Sequence, residues 1–264
     1  MSYLSVKGIT AGYGRQSVIE NISFQLEDGV LMGIIGANGS GKTTLLKALC
    51  GILPHEGTCA LENVDLEHLS AKQMARLVSY IPQRSGISID ISVLDVVLMG
   101  FNPQLGLLEH PTRKMKDAAI KALDQVGLGG KEGMNYLHLS EGQKQLCILA
   151  RTLVSDSKLL LLDEPESALD FRFRHQVLSL LRKWVTSGNR SAIVTLHDPT
   201  LALNFCDKLL LLTDGGILGV IEPKTDSLDK MEQMLSMVYG PISLQRCYNR
   251  KNIAQIMMLQ EDSL

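Results

Sequence analysis

No stretch of this 264-residue chain reaches the ~18 consecutive apolar residues that a membrane-crossing helix needs. Its apolar runs are short, as in Leu159–Leu162, Ala192–Val194 and Leu209–Leu212. The N-terminal Met-Ser-Tyr-Leu-Ser-Val-Lys lacks a basic segment ahead of an apolar one, so a secretory signal is not expected. Cysteine is scarce: Cys50, Cys59, Cys147, Cys206 and Cys247 are odd in number, widely spaced and form no CxxC. That pattern argues against a disulfide framework or a zinc site, and a reducing cytosol fits it best. Charge of one sign is lacking too, with 26 Lys plus Arg against 28 Asp plus Glu and a net charge of −2. Such a balance gives no general pull toward nucleic acid or anionic lipid, and no nucleic-acid partner is expected. No internal repeat, low-complexity segment or Pro/Gly/Ser-rich linker divides the chain.

What is present suffices for a core. Apolar residues make up 45% and charged residues 20%, close to the globular average. The length allows one large domain, or one with an inserted subdomain. Leu4–Ile9 and Val18–Leu26 alternate apolar and polar residues, which predicts antiparallel strands. Val30–Ile35 reads as a buried strand, followed by a helix over Thr43–Cys50. Leu159–Leu162 and Ser191–Leu196 are continuous apolar runs of strand length, as expected of central parallel strands covered on both faces, and Lys208–Thr213 is another strand. From about Ser92 to Val154 helical periodicity takes over, with Ala119, Ala122, Leu123 and Val126 on one face. The expected division is an α/β core with an N-terminal β-subdomain over 1–91 and 155–221, a helical subdomain over 92–154, and a C-terminal extension over 222–264. In that extension Met231, Met234, Leu235 and Val238 fall at helical spacing, a stripe that predicts packing against the core, with a partner-binding face as the alternative.

The strongest local signal is Gly36-Ala37-Asn38-Gly39-Ser40-Gly41-Lys42-Thr43-Thr44, a GxxxxGK[ST] match between an apolar strand and a helix. Glycines let the backbone curl so that successive N–H groups face phosphate oxygens. The helix start adds unpaired N–H groups and the positive end of its dipole. Lys42 supplies a mobile charge for the β- and γ-phosphates, and Thr43 offers a hydroxyl to Mg²⁺. Alone, this loop says only that a nucleoside triphosphate binds.

A second signal is Leu159-Leu160-Leu161-Leu162-Asp163-Glu164-Pro165, an apolar strand ending in two acids at the sheet edge where open α/β folds bind ligands. Asp163 would hold Mg²⁺, directly or through water, and Glu164 would polarise the attacking water. A third is Leu139-Ser140-Glu141-Gly142-Gln143, whose Ser140 and Gln143 have capping-box spacing and mark a helix start. Capping alone explains those two residues but not why the segment sits 20 residues before Asp163.

In this order, with Tyr13, Gln83, Ser167-Ala168-Leu169-Asp170 and His197, the motifs resemble those of the ATP-binding cassette (ABC) ATPases over nearly the whole chain. The resemblance implies an α/β fold: a P-loop ATPase core with an N-terminal antiparallel β-subdomain and an inserted α-helical subdomain. It implies ATP and Mg²⁺ as cofactors and a head-to-tail homodimer sandwiching two nucleotides. Gly36, Asn38, Gly39, Ser40, Gly41, Lys42, Thr43 and Thr44 would bind nucleotide, and Tyr13 would stack on adenine. Ser140, Gly142 and Gln143 would meet the nucleotide held by the partner subunit, and Asp170 would couple the two sites. Thr43, Gln83 and Asp163 would serve the metal, and Glu164, His197, Lys42 and Gln83 the catalysis. Glu141 stands where the family's commonest signature has glycine.

Leu69–Arg76, Tyr80–Gln83, Val93–Gly100 and Met237–Gly240 are similar to cassettes of metal-chelate importers, although Phe101 stands where that group usually has arginine. The resemblance implies uptake of an iron chelate, haem or cobalamin, energised at the cytoplasmic face of the membrane. Integral membrane permease subunits would be separate chains, and a substrate-binding protein an indirect partner. Another importer class and a non-transport ATPase remain as alternatives. A module that only holds ATP predicts a missing acid or switch histidine, whereas Glu164 and His197 are both present.

Overall fold

The computed structural model describes residues 3–83, 86–106, 108–167 and 169–261. Strand β1 (Leu4–Tyr13) pairs antiparallel with β2 (Gln16–Leu26) across a two-residue turn, where Gly14 has a positive φ. The alternation seen to Ile9 fades beyond it because the pairing shifts register between Val6 and Ile9 and again to Gly12, so the strand outruns its pattern. With β4 (His55–Leu61) and the short β5 (Val64–Asp65), these form a sheet of order β2-β1-β4-β5.

The second sheet has the order β10-β9-β3-β8-β7-β6. Its strands are β3 (Leu31–Gly36), β6 (Val78–Ile81), β7 (Leu159–Asp163), β8 (Ser191–Thr195), β9 (Lys208–Thr213) and β10 (Gly216–Ile221). All neighbours are parallel except β9 and β10. Successive residues of one strand enter opposite cores. Leu159 and Leu161 pack toward the N-terminal sheet and helix α1 (Lys42–Leu49), while Leu160 and Leu162 pack toward the helices on the other side. Two covered faces require the unbroken apolar runs of the central strands.

Helix α2 (Ala71–Leu77) leads into β6. The chain from 92 to 154 then carries α3 (Val93–Leu98), α4 (Arg113–Gln125) and α5 (Glu141–Leu153), with no strand among its described residues. Ala119, Ala122, Leu123 and Val126 are buried, as the periodicity predicts. Phe101 lies buried in a single-turn helix after α3, so it serves the core. Helix α6 (Phe171–Thr186) precedes β8, and α7 (Pro199–Phe205) follows it. In α8 (Leu228–Tyr239) Met231 and Leu235 are fully buried. The hairpin β11 (Ile242–Tyr248) and β12 (Ala254–Gln260) has no counterpart in the sequence reading. It docks on α7 through Asn204, which donates to Ile256 O (2.7 Å) and accepts from Ile256 N (2.9 Å). The five cysteines are free, and no described helix is long and apolar enough to cross a membrane.

Candidate functional site

Parallel strands β3, β7 and β8 end on one edge of the sheet, and their carboxyl ends deliver the motifs. After β3 the chain curls through Gly36–Gly41 into α1. Gly39 and Gly41 have φ of 83° and 96°, a region costly for residues with a side chain. A Cβ on Gly41 would lie 2.3 Å from Ile19 Cγ2, and one on Gly36 2.3 Å from Leu212 O. The loop encloses a cavity of about 170 Å³ lined by Val18, Asn38, the residues from Gly39 to Thr44, and Glu164. Ser40 Oγ is buried there, and no described group bonds it. A buried hydroxyl without a partner, beside glycines that admit no Cβ, fits an anionic oxygen.

Lys42 is 6% exposed, and its Nζ donates to Gly36 O (2.8 Å) and Ala37 O (3.0 Å) across the loop. Burial pulls its pKa down, while Glu164 and Asp163 oppose that shift. Thr44 is buried at the helix start.

Asp163, the last residue of β7, is almost wholly buried. Its Oδ1 accepts from Thr43 Oγ1 (3.0 Å) and Thr195 Oγ1 (2.9 Å), and its Oδ2 accepts from Tyr80 OH (3.3 Å). Burial and the Asp163 charge push the Tyr80 phenol's pKa up, so it stays a donor. The Thr43 hydroxyl and Asp163 carboxylate are hard oxygen donors in contact, a set that suits Mg²⁺ completed by phosphate and water oxygens.

Glu164 adopts a left-handed backbone, φ 49°, which costs of order 1–3 kcal/mol and swings its side chain away from that of Asp163. Its amide donates to Thr195 Oγ1 (2.9 Å). Its Oε2 accepts from Gln83 Nε2 (2.5 Å), and its Oε1 lies 2.5 Å from His197 Nε2. Thus the glutamine after β6, the acid after β7 and the histidine after β8 meet, although 33 residues separate the last two and 81 the first two.

The remaining expected residues lie elsewhere. Ser140 caps α5: its Oγ accepts from Gln143 N (3.3 Å) and its N donates to Gln143 Oε1 (3.2 Å). Ser140 is exposed, Gly142 and Gln143 are half-buried, and none lines the phosphate cavity. Glu141 pairs with Lys144 (2.7 Å). Asp170 caps α6 through Phe173 N (3.0 Å). Ala168 lies outside the described residues. Tyr13 is half exposed at the end of β1, its ring centroid 5.9 Å from Lys47 Nζ. It borders a separate cavity of about 520 Å³ with Thr10, His55 and Glu56.

Three residues of the cluster escaped sequence reasoning. Thr195 and Tyr80 hold Asp163, and Glu166 bonds the His197 amide. The available signal was a hydroxyl or carboxyl inside or beside an otherwise apolar strand.

Residues 19–167 match the family described as ABC transporter. The chain is 35% identical to the hemin import ATP-binding protein HmuV of Bordetella pertussis over 253 residues, covering 90% of this chain and 92% of that protein. It is 34% identical to the manganese transport system ATP-binding protein MntB of Listeria monocytogenes over 212 residues, covering 79% and 86%. Among solved structures, an ABC transporter described as metal-chelate type, in an inward-facing conformation, superposes with a TM-score of 0.81 at 28% identity, covering 99% of both chains.

Proposed function

The chain belongs to the ABC transporter family, as an ATP-binding importer subunit that hydrolyses ATP with Mg²⁺; from that premise we propose that it energises uptake of an iron chelate, haem or cobalamin. It would act at the cytoplasmic face of the membrane, as a homodimer bound to separate permease subunits. The observation that carries the substrate class is similarity to a hemin import cassette over 90% of the chain and to a metal-chelate type transporter over 99% of it. The manganese relative supports a second reading, free metal ion uptake, over a shorter stretch.

The chemistry follows from the cluster. Backbone N–H groups of the Gly36–Thr44 loop and the Lys42 ammonium bind the phosphates. The bound metal supplies charge neutralisation at the phosphoryl oxygens, and Thr43 and Asp163 would hold it. Glu164 orients the attacking water and takes its proton at a carboxylate oxygen, aimed by Gln83 and His197. Gln83 follows β6, whose Tyr80 lines a cleft of about 340 Å³ with Gly100, Pro103 and Arg151. That cleft is where a permease segment would press, linking its movement to Glu164 through Gln83.

The test is uptake by cells lacking this chain, complemented with the parent or Glu164→Gln. Labelled ferric siderophore, haem, cobalamin and Mn²⁺ are supplied separately. The proposal expects one of the first three to be lost and restored by the parent alone. Loss confined to Mn²⁺ would establish the second reading instead.

A further inference from the structure

Glu166 is 2% exposed, two residues beyond Glu164 in the turn between β7 and α6. That turn is pinned by Ser167 N to Glu164 O (3.1 Å) and Leu169 N to Glu166 O (3.0 Å). The Glu166 side chain crosses to the next strand's loop, where Oε1 accepts the His197 N–H at 3.2 Å. The preceding amide, Leu196 N, still bonds backbone, to Ile34 O (3.1 Å). Asp198 already caps α7 through Leu201 N (3.1 Å). His197 therefore sits at the break between the β8 ladder and α7, and a side chain takes its amide. The His197 ring in turn lies 2.5 Å from Glu164 Oε1. Glu164, Glu166 and His197 thus close a ring, one link through a backbone amide and one through an imidazole.

We propose that Glu166 is a positioning residue, tying the switch-histidine loop to the acid loop so that the His197 imidazole stays aimed at Glu164. This rests on the reading of Glu164 and His197 as catalytic. Oε2 of Glu166 is buried without a donor among the described residues. A buried oxygen without a donor disfavours the charged form, and Oε1 is the oxygen that accepts the His197 amide. Burial, with Glu164 nearby, pushes its carboxyl up, against its own amide, the His197 amide and the His197 charge. An accepting oxygen is what the tie requires, and glutamine supplies one.

The test compares Glu166→Met, which keeps volume and loses the acceptor, with Glu166→Gln, His197→Ala and the Met/Ala double variant, as full chains. Thermal midpoints and ATP affinity are recorded for each. We expect Glu166→Met to lower kcat about tenfold to a hundredfold, with KM for ATP held within about twofold, because misaim affects the chemical step. Glu166→Gln should recover most of that loss. The double variant should turn over no more slowly than His197→Ala, since Glu166 acts through that ring. In NMR spectra, the His197 ring signals, assigned by their loss in His197→Ala, should move in Glu166→Met and stay near parental positions in Glu166→Gln. Losses that multiply in the double variant, a Gln variant as poor as Met, or unmoved ring signals would overturn the proposal. Should Glu166→Met fold poorly, the kcat and ring signals of Glu166→Gln decide alone. Parental turnover in His197→Ala would instead sink the reading of the site on which the proposal depends.

Discussion

Lys42 holds its charge where burial works against it. Two carbonyls of its own loop accept from the ammonium, and Asp163 and Glu164 stand close enough to favour the charged form. The cation is therefore fixed at the cavity wall before any phosphate arrives, which is the preorganisation that makes such a charge effective. Lys42→Ala should lower ATP turnover at least ~10²-fold, the usual scale for removing one such group. A steady-state phosphate-release assay checks this, and turnover within about twofold of the parent would contradict the role. At this scale the motif residues were legible because glycine, lysine and paired acids stand at fixed spacing. Thr195 was not, since its hydroxyl, like that of Ser191 in the same run, gives no spacing signal and acquires its meaning only when β8 lies beside β7. Tyr80 likewise gains its partner through the pairing of β6 with β7.

Helix α5 places two demands on one residue. Ser140 closes a capping box, and its exposed position at the helix start suits a second nucleotide's phosphates. The two roles separate by magnitude. Ser140→Ala should cost ~1 kcal/mol of stability as a lost cap, whereas Ser140→Gly should cost only a few tenths. If the hydroxyl also meets nucleotide, both variants should lose turnover about equally despite that difference. Urea unfolding and ATPase assays on the same samples check this, and turnover that tracks stability would confine Ser140 to capping. The central strands invite a companion measurement. Leu160 is fully buried against the helical side of the sheet, so Leu160→Ala should lower unfolding free energy by ~2–5 kcal/mol.

The apolar runs Leu159–Leu162 of β7 and Ala192–Val194 of β8 were legible because two covered faces favour apolar residues at successive positions. The terminal hairpin was not. Ile242, Leu244 and Ile256 turn inward, but Tyr248, Met257 and Leu259 stay exposed, and outward apolar residues erase the alternation that marks a strand.

Over the whole molecule, the proposed homodimer turns on where the Ser140–Gln143 segment lies relative to the phosphate cavity. Its lining comes from Val18, the Asn38–Thr44 loop and Glu164, and the Ser140–Gln143 segment contributes nothing to it. That segment is presented at the surface, with Ser140 exposed and Gly142 half-buried. In the proposed homodimer, that helix start would meet the nucleotide held by the other chain. If ATP is the shared ligand, binding must favour the closed pair over separate chains, and hydrolysis must remove that preference. Glu164→Gln keeps the phosphate loop and the Gln83 side chain but removes the proton acceptor, so nucleotide should bind and persist. On gel filtration with MgATP this variant should elute at twice the 29.0 kDa chain mass, and without nucleotide at the monomer position. For the parent, turnover per chain should rise with protein concentration and level off once the pair is saturated. A trapped variant that stays monomeric at high concentration, with ATP demonstrably bound, would leave Ser140 and Gly142 without a nucleotide to meet.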